Sequence, residues 1–264
     1  MSEGATRIPP LIAVRLVKNL YWIAVARKRT ITRVIDYGQF CTVARGAEVF
    51  GERWTPLVVR ELLCGSTRFN DIRRGVPRMS PTLLAQRLRK LEEIGVVQRV
   101  QTGKSAEYRL TAAGEELRPI VLALGHWGAR WIGSRLRRDQ LDAGFLMWDI
   151  RRFARIEAFP PDRRVVIQFR FSGARSGERL WWLVVEHGTA DLCRDDPGHE
   201  VALIVESSVL ALTQVWTGER DPVDVLRSRE VCVIGAARDA RDLWNWLGRS
   251  AFAPTRTAAR AAIV

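Results

Sequence analysis

The chain has 264 residues, a hydrophobic content of 47%, an aromatic content of 8% and a formal net charge of +13. This length suits two domains, and the composition is that of a globular protein with a sizeable core. The positive charge is uneven: residues 1–34 carry +6, residues 35–140 carry +7, and residues 141–264 carry seventeen charges of each sign. An arginine-rich composition alone would spread the excess evenly, so the split favours a polyanion as the partner of the first half.

Cysteine and histidine residues indicate no metal site and no disulfide framework. The four cysteines are scattered without a C-x-x-C pair, and the three histidines share no metal-ligand spacing: Cys41, Cys64, Cys193, Cys232, His126, His187 and His199. This usage is typical of a reducing compartment, so we expect a cytoplasmic protein. Three of the cysteines, Cys64, Cys193 and Cys232, adjoin apolar runs and are predicted to be buried and inert. No Ser-His-Asp context or phosphate loop stands out, which predicts a protein that is not an enzyme and has no cofactor.

Residues 1–35 form a basic extension that we expect to be disordered or amphipathic. Its apolar stretch from Leu11 to Ala26 is interrupted by Arg15 and Lys18 and falls short of the roughly 20 residues that a membrane span needs. Three interpretations stay open: a basic helix that touches membrane or DNA phosphate, a signal-like segment, or an upstream extension from a misassigned start. We favour the last because the recognisable domain begins near Tyr37, and membrane association is not expected.

The next residues predict three short helices, at 43–50, 55–63 and 68–74. Each is followed by a glycine, and the second has Pro56 in its first turn, where proline is favoured. A fourth helix follows, because Ser80 can cap a helix that begins at Pro81. At 100° per residue its apolar stripe comprises Leu84, Leu88 and Leu91. The opposite face is polar and basic, with Lys90 beside it: Thr82, Gln86, Arg89 and Glu93.

Gly95 ends this helix, and a basic hairpin follows it. Residues 96–101 and 107–110 alternate as two strands, and residues 102–104 form the tip between them. Two helices joined by a short turn and followed by such a wing predict a winged helix-turn-helix. A long helix is predicted from residue 111 to about residue 132. Its apolar stripe is more typical of a dimer interface than of a cofactor site: Leu117, Val121, Leu124, Gly128 and Trp131.

Residues 36–132 resemble the HxlR-type winged-helix transcriptional regulators. The resemblance rests on Gly51-Glu52-Arg53-Trp54-Thr55, Arg60-Glu61-Leu62-Leu63, Arg68-Phe69-Asn70-Asp71-Ile72, Ser80 with Leu84 and Arg87-Leu88, Leu91-Glu92, Gly95-Val96-Val97, Tyr108-Arg109-Leu110-Thr111, Gly114 and Trp127-Gly128. It implies a bacterial, homodimeric DNA-binding regulator. Several members of that family sense quinone, aldehyde or thiol stress through a cysteine ahead of the first helix, and Cys41 matches that position. Thr42 departs from the family's frequent proline, and a packed cysteine in the dimer core is the alternative to a redox sensor.

The exposed face of the fourth helix supplies the candidate base contacts. Gln86 can pair with adenine, Arg89 with guanine or a phosphate, and Thr82 with a thymine methyl or a phosphate. Arg87 lies nearer the apolar stripe, and a role in the fold is as reasonable as one in DNA binding. The candidate phosphate contacts supply affinity and salt dependence: Arg78, Ser80, Lys90, Arg99 and Lys104.

The second half predicts an α+β domain at residues 161–253, joined to the winged-helix domain (36–138) by a helical linker (139–160) and followed by a tail (254–264). Strands are predicted at 165–171, 180–186, 189–193, 201–205 and 231–235, with helices at 207–216, 221–227 and 237–247. The order resembles sterol carrier protein-like domains, through the residues Trp182-Leu183-Val184-Val185-Glu186, Asp191-Leu192-Cys193, Asp196-Pro197-Gly198, Trp216 with Gly218, and Ile234-Gly235.

That resemblance implies a cavity for an apolar effector. Its candidate lining is Trp182, Trp216 and Trp244, although ordinary core packing is the commoner role of tryptophan. The sequence therefore predicts a homodimeric transcriptional regulator that binds a palindromic operator in double-stranded DNA and has a sensor domain. The alternative is a lipid carrier whose winged helix serves protein contacts, and the charge split disfavours it.

Overall fold

The computed structural model describes residues 37–103, 105–132 and 136–253. Three predicted features lie outside these ranges: the extension 1–35, Lys104 and the tail 254–264. The chain divides between Glu52 and Arg53 into two compact units. This division falls inside the range 36–138 that we expected to form one domain, so the predicted domain boundaries stay predictions.

The described part of the first unit contains one helix, α1 (Thr42–Phe50). It agrees with the helix predicted at 43–50. The backbone amide of Tyr37 donates to the Glu48 carboxylate at 3.1 Å, which draws the preceding segment against the helix. Arg45 lies 3.7 Å from the same carboxylate, three residues earlier on α1.

The second unit begins with the helices of a winged helix-turn-helix. These are α2 (Thr55–Leu63), α3 (Phe69–Gly75) and α4 (Pro81–Glu93), each within two residues of its predicted bounds. Their fully buried apolar side chains are Val58, Val59, Ile72, Leu84 and Leu88. The predicted helical periodicity is therefore confirmed for this part of the fold.

The wing follows α4 as an antiparallel hairpin of β1 (Val97–Thr102) and β2 (Ser105–Leu110). Gly95 separates it from α4 with φ of +78°, a left-handed conformation that favours glycine. The backbone amide of Tyr108 donates to the Thr67 carbonyl at 2.8 Å. The wing is thus anchored to the segment that precedes α3.

The prediction of one long helix over residues 111–132 is wrong. The structure has α5 (Ala112–Glu115), then α6 (Arg118–Trp127), and a π-helical turn (Gly128–Ile132). Pro119 explains the interruption, since it has no amide hydrogen for the carbonyl of the preceding turn and its ring collides with that turn. The helix therefore restarts with Pro119 in the first turn of α6.

A five-stranded sheet and the helices packed on it form the rest of the unit. Its strands are β3 (Val165–Ser172), β4 (Leu180–Glu186), β5 (Thr189–Cys193), β6 (Leu203–Ser208) and β7 (Val231–Gly235). Their spatial order is β5-β4-β3-β6-β7, and only the β3–β6 pair is parallel. The strand predicted at 201–205 lies instead at 203–208, because the parallel ladder with β3 begins at the Ile167–Leu203 pair and continues to the Ser172–Ser208 pair.

Helices and connecting segments pack on one face of this sheet. The helices are α7 (Ala143–Phe153), α8 (Val209–Trp216), α9 (Pro222–Arg227) and α10 (Ala237–Leu247). Alternate residues of β3, including Ile167 and Phe169, point into the shared core. Helix α7 lies within the expected linker, yet Met147 and Ile150 are buried in that core. Among the described residues, no helix has the length and apolar content needed to cross a bilayer.

Four buried or half-buried charged side chains, here called the charge cluster, join α2 to α7: Arg60, Glu61, Asp149 and Arg152. The Glu61 carboxylate is fully buried and binds Arg60 and Arg152, with Nη1 of Arg152 at 3.2 Å from Oε1. Asp149 lies 3.6 Å from Arg152 and accepts a hydrogen bond from the Trp216 indole at 3.2 Å. Burial raises the pKa of the Asp149 carboxyl, and the positive charges of Arg60 and Arg152 oppose that shift.

Gly75 permits α3 to reach this cluster. A side chain at that position would overlap the carboxylate of Glu61, so the close approach of α3 to α2 requires glycine. The Ser66 hydroxyl also lies 3.4 Å from Glu61 and Arg152. The charges of Glu61 and Arg152 are consequently compensated by groups from α2, α7 and the segment between α2 and α3.

The Glu61→Gln substitution is expected to lower the free energy of unfolding by about 3–5 kcal/mol. It leaves Arg152 buried without its carboxylate, and the desolvation cost of that charge is no longer offset. Urea unfolding followed by tryptophan fluorescence measures the change.

Glu115→Gln is the matched control. Glu115 pairs with Arg118 at 2.6 Å on the surface, where losing an ion pair costs within about 1 kcal/mol. Adding Arg152→Gln to Glu61→Gln should restore part of the loss, because it removes the uncompensated charge. Equal effects of the two single glutamate substitutions would contradict the buried-pair interpretation.

Candidate nucleic-acid interface

Helix α4 is held by its cap and by its apolar stripe. The Ser80 hydroxyl accepts a hydrogen bond from the Leu83 amide at 3.3 Å, and Pro81 occupies the first helical position. Leu84, Leu88 and Leu91 are buried, as predicted. The stripe therefore fixes which face of α4 remains outside.

The three candidate base contacts lie on that outer face. Thr82, Gln86 and Arg89 are all exposed and follow helical spacing, so the structure brings them together. Lys90 beside them is half-buried. The arrangement presents a hydroxyl, an amide and a guanidinium, which are the donors and acceptors that a base edge can pair with.

Arg87 is buried within the leucine stripe and does not belong to this face. Of the two roles that the sequence left open, burial favours the one in the fold. A guanidinium buried in the helix packing cannot reach a base edge.

The candidate phosphate contacts surround α4. Arg78 and Ser80 lie exposed at its N-terminal end, and Arg99 is exposed on β1 opposite Tyr108. The neighbouring Arg109 is instead paired with Glu107 at 2.8 Å. Arg99 is thus the cation that the described part of the wing offers to a phosphate, since Lys104 lies outside the described residues.

Arg78 also borders a cavity of about 850 Å³ in the same unit. Its charge contributes to lowering the pKa of the Asp139 carboxyl, an effect due first to the hydrogen bond from Arg137. Two further cavity residues, Arg138 and Arg175, were not singled out in the sequence. No local signal marks them, because they are distant in the chain and only the fold brings them together.

The structure does not bring together the three predicted pocket tryptophans. Trp216 and Trp244 belong to the core on the helix-covered face of the sheet, and Trp181 joins them there. Trp182 is buried outside that core cluster, as expected from the alternation of side chains along a strand. A single ligand therefore cannot contact Trp182 and Trp216 together.

The cysteines differ from the prediction in one respect. Cys41 is exposed at the start of α1, whereas Cys64, Cys193 and Cys232 are half-buried and not fully buried. Burial raises the pKa of the Cys64 thiol, and it is also the main cause that raises the pKa of the Cys193 thiol. A raised thiol pKa lowers the fraction of reactive thiolate, which agrees with the predicted inertness of those two.

Comparison with known proteins identifies the family. The model of HxlR-like helix-turn-helix proteins matches residues 49–135, which include α4 and the wing. The HTH-type transcriptional regulator YvaP of Bacillus subtilis, itself uncharacterized, is 37% identical over 91 residues, which cover 33% of this chain and 84% of YvaP. The chain belongs to the HxlR-like helix-turn-helix family. Double-stranded DNA is therefore the partner that its family implies.

Two further proteins are similar to parts of the chain. YdeP of Bacillus subtilis, another uncharacterized HTH-type transcriptional regulator, is 32% identical over 120 residues, covering 44% of this chain and 91% of YdeP. The solved structure of the redox regulator HypR in its reduced form is 33% identical, covering 35% of this chain and 96% of HypR, with a TM-score of 0.33. The match of the family model ends at residue 135, before α7 and the five-stranded sheet.

The Gln86→Ala substitution is expected to weaken binding to the specific DNA site by about 1–3 kcal/mol. It removes a bidentate pair with a base edge, while phosphate contacts on random DNA persist. Fluorescence anisotropy with an operator duplex and a scrambled duplex measures both affinities.

Arg99→Gln is the matched control for Gln86→Ala. Losing one phosphate contact should weaken binding on both duplexes and reduce the slope of log affinity against log salt by about 0.9. An equal loss for Gln86→Ala on both duplexes would remove Gln86 from the base contacts.

Proposed function

We propose that this protein is a homodimeric transcriptional regulator that recognises a palindromic operator. The observation that carries the proposal is the exposed face of α4, with Thr82, Gln86 and Arg89 above a buried leucine stripe. The major groove admits an α-helix, and each base pair there presents its own pattern of donors and acceptors. The HTH-type transcriptional regulators among its relatives support the same function.

In this proposal the side chains divide into two roles. Gln86 pairs with adenine, Arg89 with guanine or a phosphate, and Thr82 touches a thymine methyl or a phosphate. The phosphate contacts give affinity without sequence preference: Arg78, Ser80, Lys90, Arg99 and Lys104. The charge of +7 on residues 35–140 supports this division, since phosphate binding needs an excess of cations.

Dimerisation is proposed through α6 and the turn after it. Of the stripe predicted from the sequence, Leu124 and Trp131 are exposed but Val121 is buried within the protomer, so the exposed row is a different one. Ile120, Leu124, Trp127 and Trp131 follow helical spacing and are 49%, 50%, 55% and 65% exposed. Such a row of large apolar side chains is costly in water and suits a two-fold interface with a second copy. Two copies would place two α4 helices on successive half-sites, which requires a palindromic operator.

Selection of DNA fragments by the purified full-length protein tests the regulator proposal. We expect enrichment of a palindromic sequence, with binding that weakens steeply as salt is raised. Its own upstream region serves as a competitor. Absence of sequence-selective binding would reject the proposal and favour the alternative, a lipid carrier whose winged helix mediates protein contacts.

Trp127→Glu is expected to convert the dimer to a monomer and to lower operator affinity by roughly thirtyfold or more. Replacing a central aromatic by a charge typically costs an interface at least about 2 kcal/mol. Sedimentation velocity and operator binding measure the two effects.

Leu226→Glu is the control for Trp127→Glu, because Leu226 is an exposed apolar residue on α9, outside the proposed interface. It should leave both readings unchanged. A monomeric wild type, or a dimer that survives Trp127→Glu, would place the interface elsewhere.

We propose further that the sheet and helices from α7 onward form a sterol carrier-like domain that senses an apolar effector. The order of strands and helices supports this, as does the tryptophan-rich core with Trp216 and Trp244. The zero net charge of residues 141–264, in which it lies, also separates it from the DNA-binding half.

A redox response through Cys41 stays a second candidate property. The thiol is exposed and lies at the N-terminal end of α1, where an oxidant has access. An oxidant-dependent change in operator binding that disappears in Cys41→Ser would support it.

A further inference from the structure

The cavity beside Arg78 has the size and position of a ligand site. Its volume of about 850 Å³ lies in the range typical of small-molecule sites. Four segments meet there: the turn before α4, the connector into α7, the turn between β3 and β4, and the start of α8. Trp182, Trp216 and Trp244 are not among its lining residues.

The cavity lies at the carboxyl ends of the two parallel strands. Strand β3 ends there at Ser172, and β6 ends at Ser208. Two helices begin at the same place, α7 after Asp142 and α8 after Ser208. The first amides of a helix carry a partial positive charge, so both helix starts add to a positive potential in the cavity.

Three arginine side chains supply a stronger positive charge. Arg78, Arg138 and Arg175 line the cavity, are exposed, and form no salt bridge within the described part of the chain. Elsewhere in the unit an arginine such as Arg220 is paired, at 2.7 Å from Glu230. Guanidinium groups that line a cavity and form no direct salt bridge can bind a carboxylate or phosphate ligand through paired hydrogen bonds.

The acidic side chains of the cavity are mostly engaged elsewhere. Asp139 accepts two hydrogen bonds from Arg137, at 2.9 and 2.7 Å. Asp142 caps α7 by accepting from the Phe145 amide at 2.8 Å. Glu178 remains as an acceptor for a ligand hydroxyl or N–H group. With Arg137 counted beside its partner Asp139, four guanidinium groups stand against three carboxylates, which leaves one positive charge.

Apolar side chains form the remaining wall of the cavity. Leu141, Val209 and Leu210 contribute to it, together with Pro77 at the turn before α4. These groups suit a hydrocarbon or ring and offer nothing to a bare inorganic ion. The lining as a whole selects a molecule with one charged end and one apolar part.

We propose that this cavity binds a small organic anion with an apolar body, such as an aliphatic carboxylate, as the effector of the regulator. The effect on DNA rests on the proposed function, whereas binding itself does not. Arg78 lies two residues before Ser80, the cap of α4, and is one of the proposed phosphate contacts. An anion held by Arg78 removes a cation from the DNA-binding surface, so occupancy weakens DNA binding.

Isothermal titration calorimetry of the full-length protein with octanoate, without DNA, tests the site. Octanol has the same chain without the charge, and sulfate has the charge without the chain. Each is expected to bind at least about tenfold more weakly than octanoate, because each lacks one set of contacts.

The variant Arg138→Gln with Arg175→Gln is expected to bind octanoate about tenfold or more weakly than wild type. Arg227→Gln, at an exposed arginine of α9 outside the cavity lining, should bind it as wild type does. Failure of wild type to bind octanoate, equal binding of octanol, or unchanged affinity of the double variant would each overturn the proposal.

Operator binding with and without octanoate tests the effect on DNA. Octanoate should weaken operator binding by wild type and reduce its salt slope by about 0.9, the contribution of one phosphate contact. The double variant should bind operator as wild type does without octanoate, since neither Arg138 nor Arg175 is a proposed DNA contact, and should need about tenfold more octanoate for the same effect. Octanoate binding with unchanged operator affinity would overturn the effector role. A protein that binds octanoate but selects no DNA would instead overturn the proposed function.

Discussion

The Glu61 carboxylate lies fully buried between the guanidinium groups of Arg60 and Arg152, and the fold of the second unit depends on that arrangement. A buried carboxylate without a cation is expensive, as is a buried guanidinium without an anion. Helix α2 cannot move away from α7 unless it leaves one of these charges unpaired. The ion pair of Glu61 and Arg152 thereby ties the winged helix to the sheet core, because Met147 and Ile150 pack the other face of α7 into that core. Gly75 brings α3 into the same contact.

This link connects the cavity with the winged helix that carries α4, the helix proposed to read DNA. Helix α7 begins at the cavity, carries Asp149 and Arg152 in the charge cluster, and is packed into the core along its length. A ligand at its N-terminal end touches the sheet, α7 and the turn before α4 at once. Coupling between two sites requires that the ligand contact elements whose position matters to both. The cavity satisfies that condition through the turn before α4, and Trp216 of the core meets the charge cluster through its hydrogen bond to Asp149.

Local sequence signals predicted most of the fold, and long-range contacts account for the differences. Ser80 and Pro81 mark the start of α4, and its three leucines mark the buried face, because caps and periodicity depend on neighbours in the chain. Pro119 is a local signal for a helix break, but the apolar stripe continues on both sides of it. The sequence therefore predicts one helix where the structure has two. Arg60-Glu61 has the composition of a surface pair, and only its partner on α7, ninety-one residues from Glu61, makes it a buried one. The cavity drew no prediction for the same reason, since its arginines come from separate segments.

The uneven charge distribution has a second consequence, which concerns Arg78. The excess of cations lies in the first half, and Arg78 is both a proposed phosphate contact and a lining residue of the cavity. One guanidinium cannot pair at full strength with a phosphate and with a ligand anion. Two anions that compete for one cation bind with negative coupling, and by linkage each must weaken the other equally. In our proposal the sign of regulation therefore follows from the position of Arg78: DNA disfavours the ligand as much as the ligand disfavours DNA, whatever the identity of the anion.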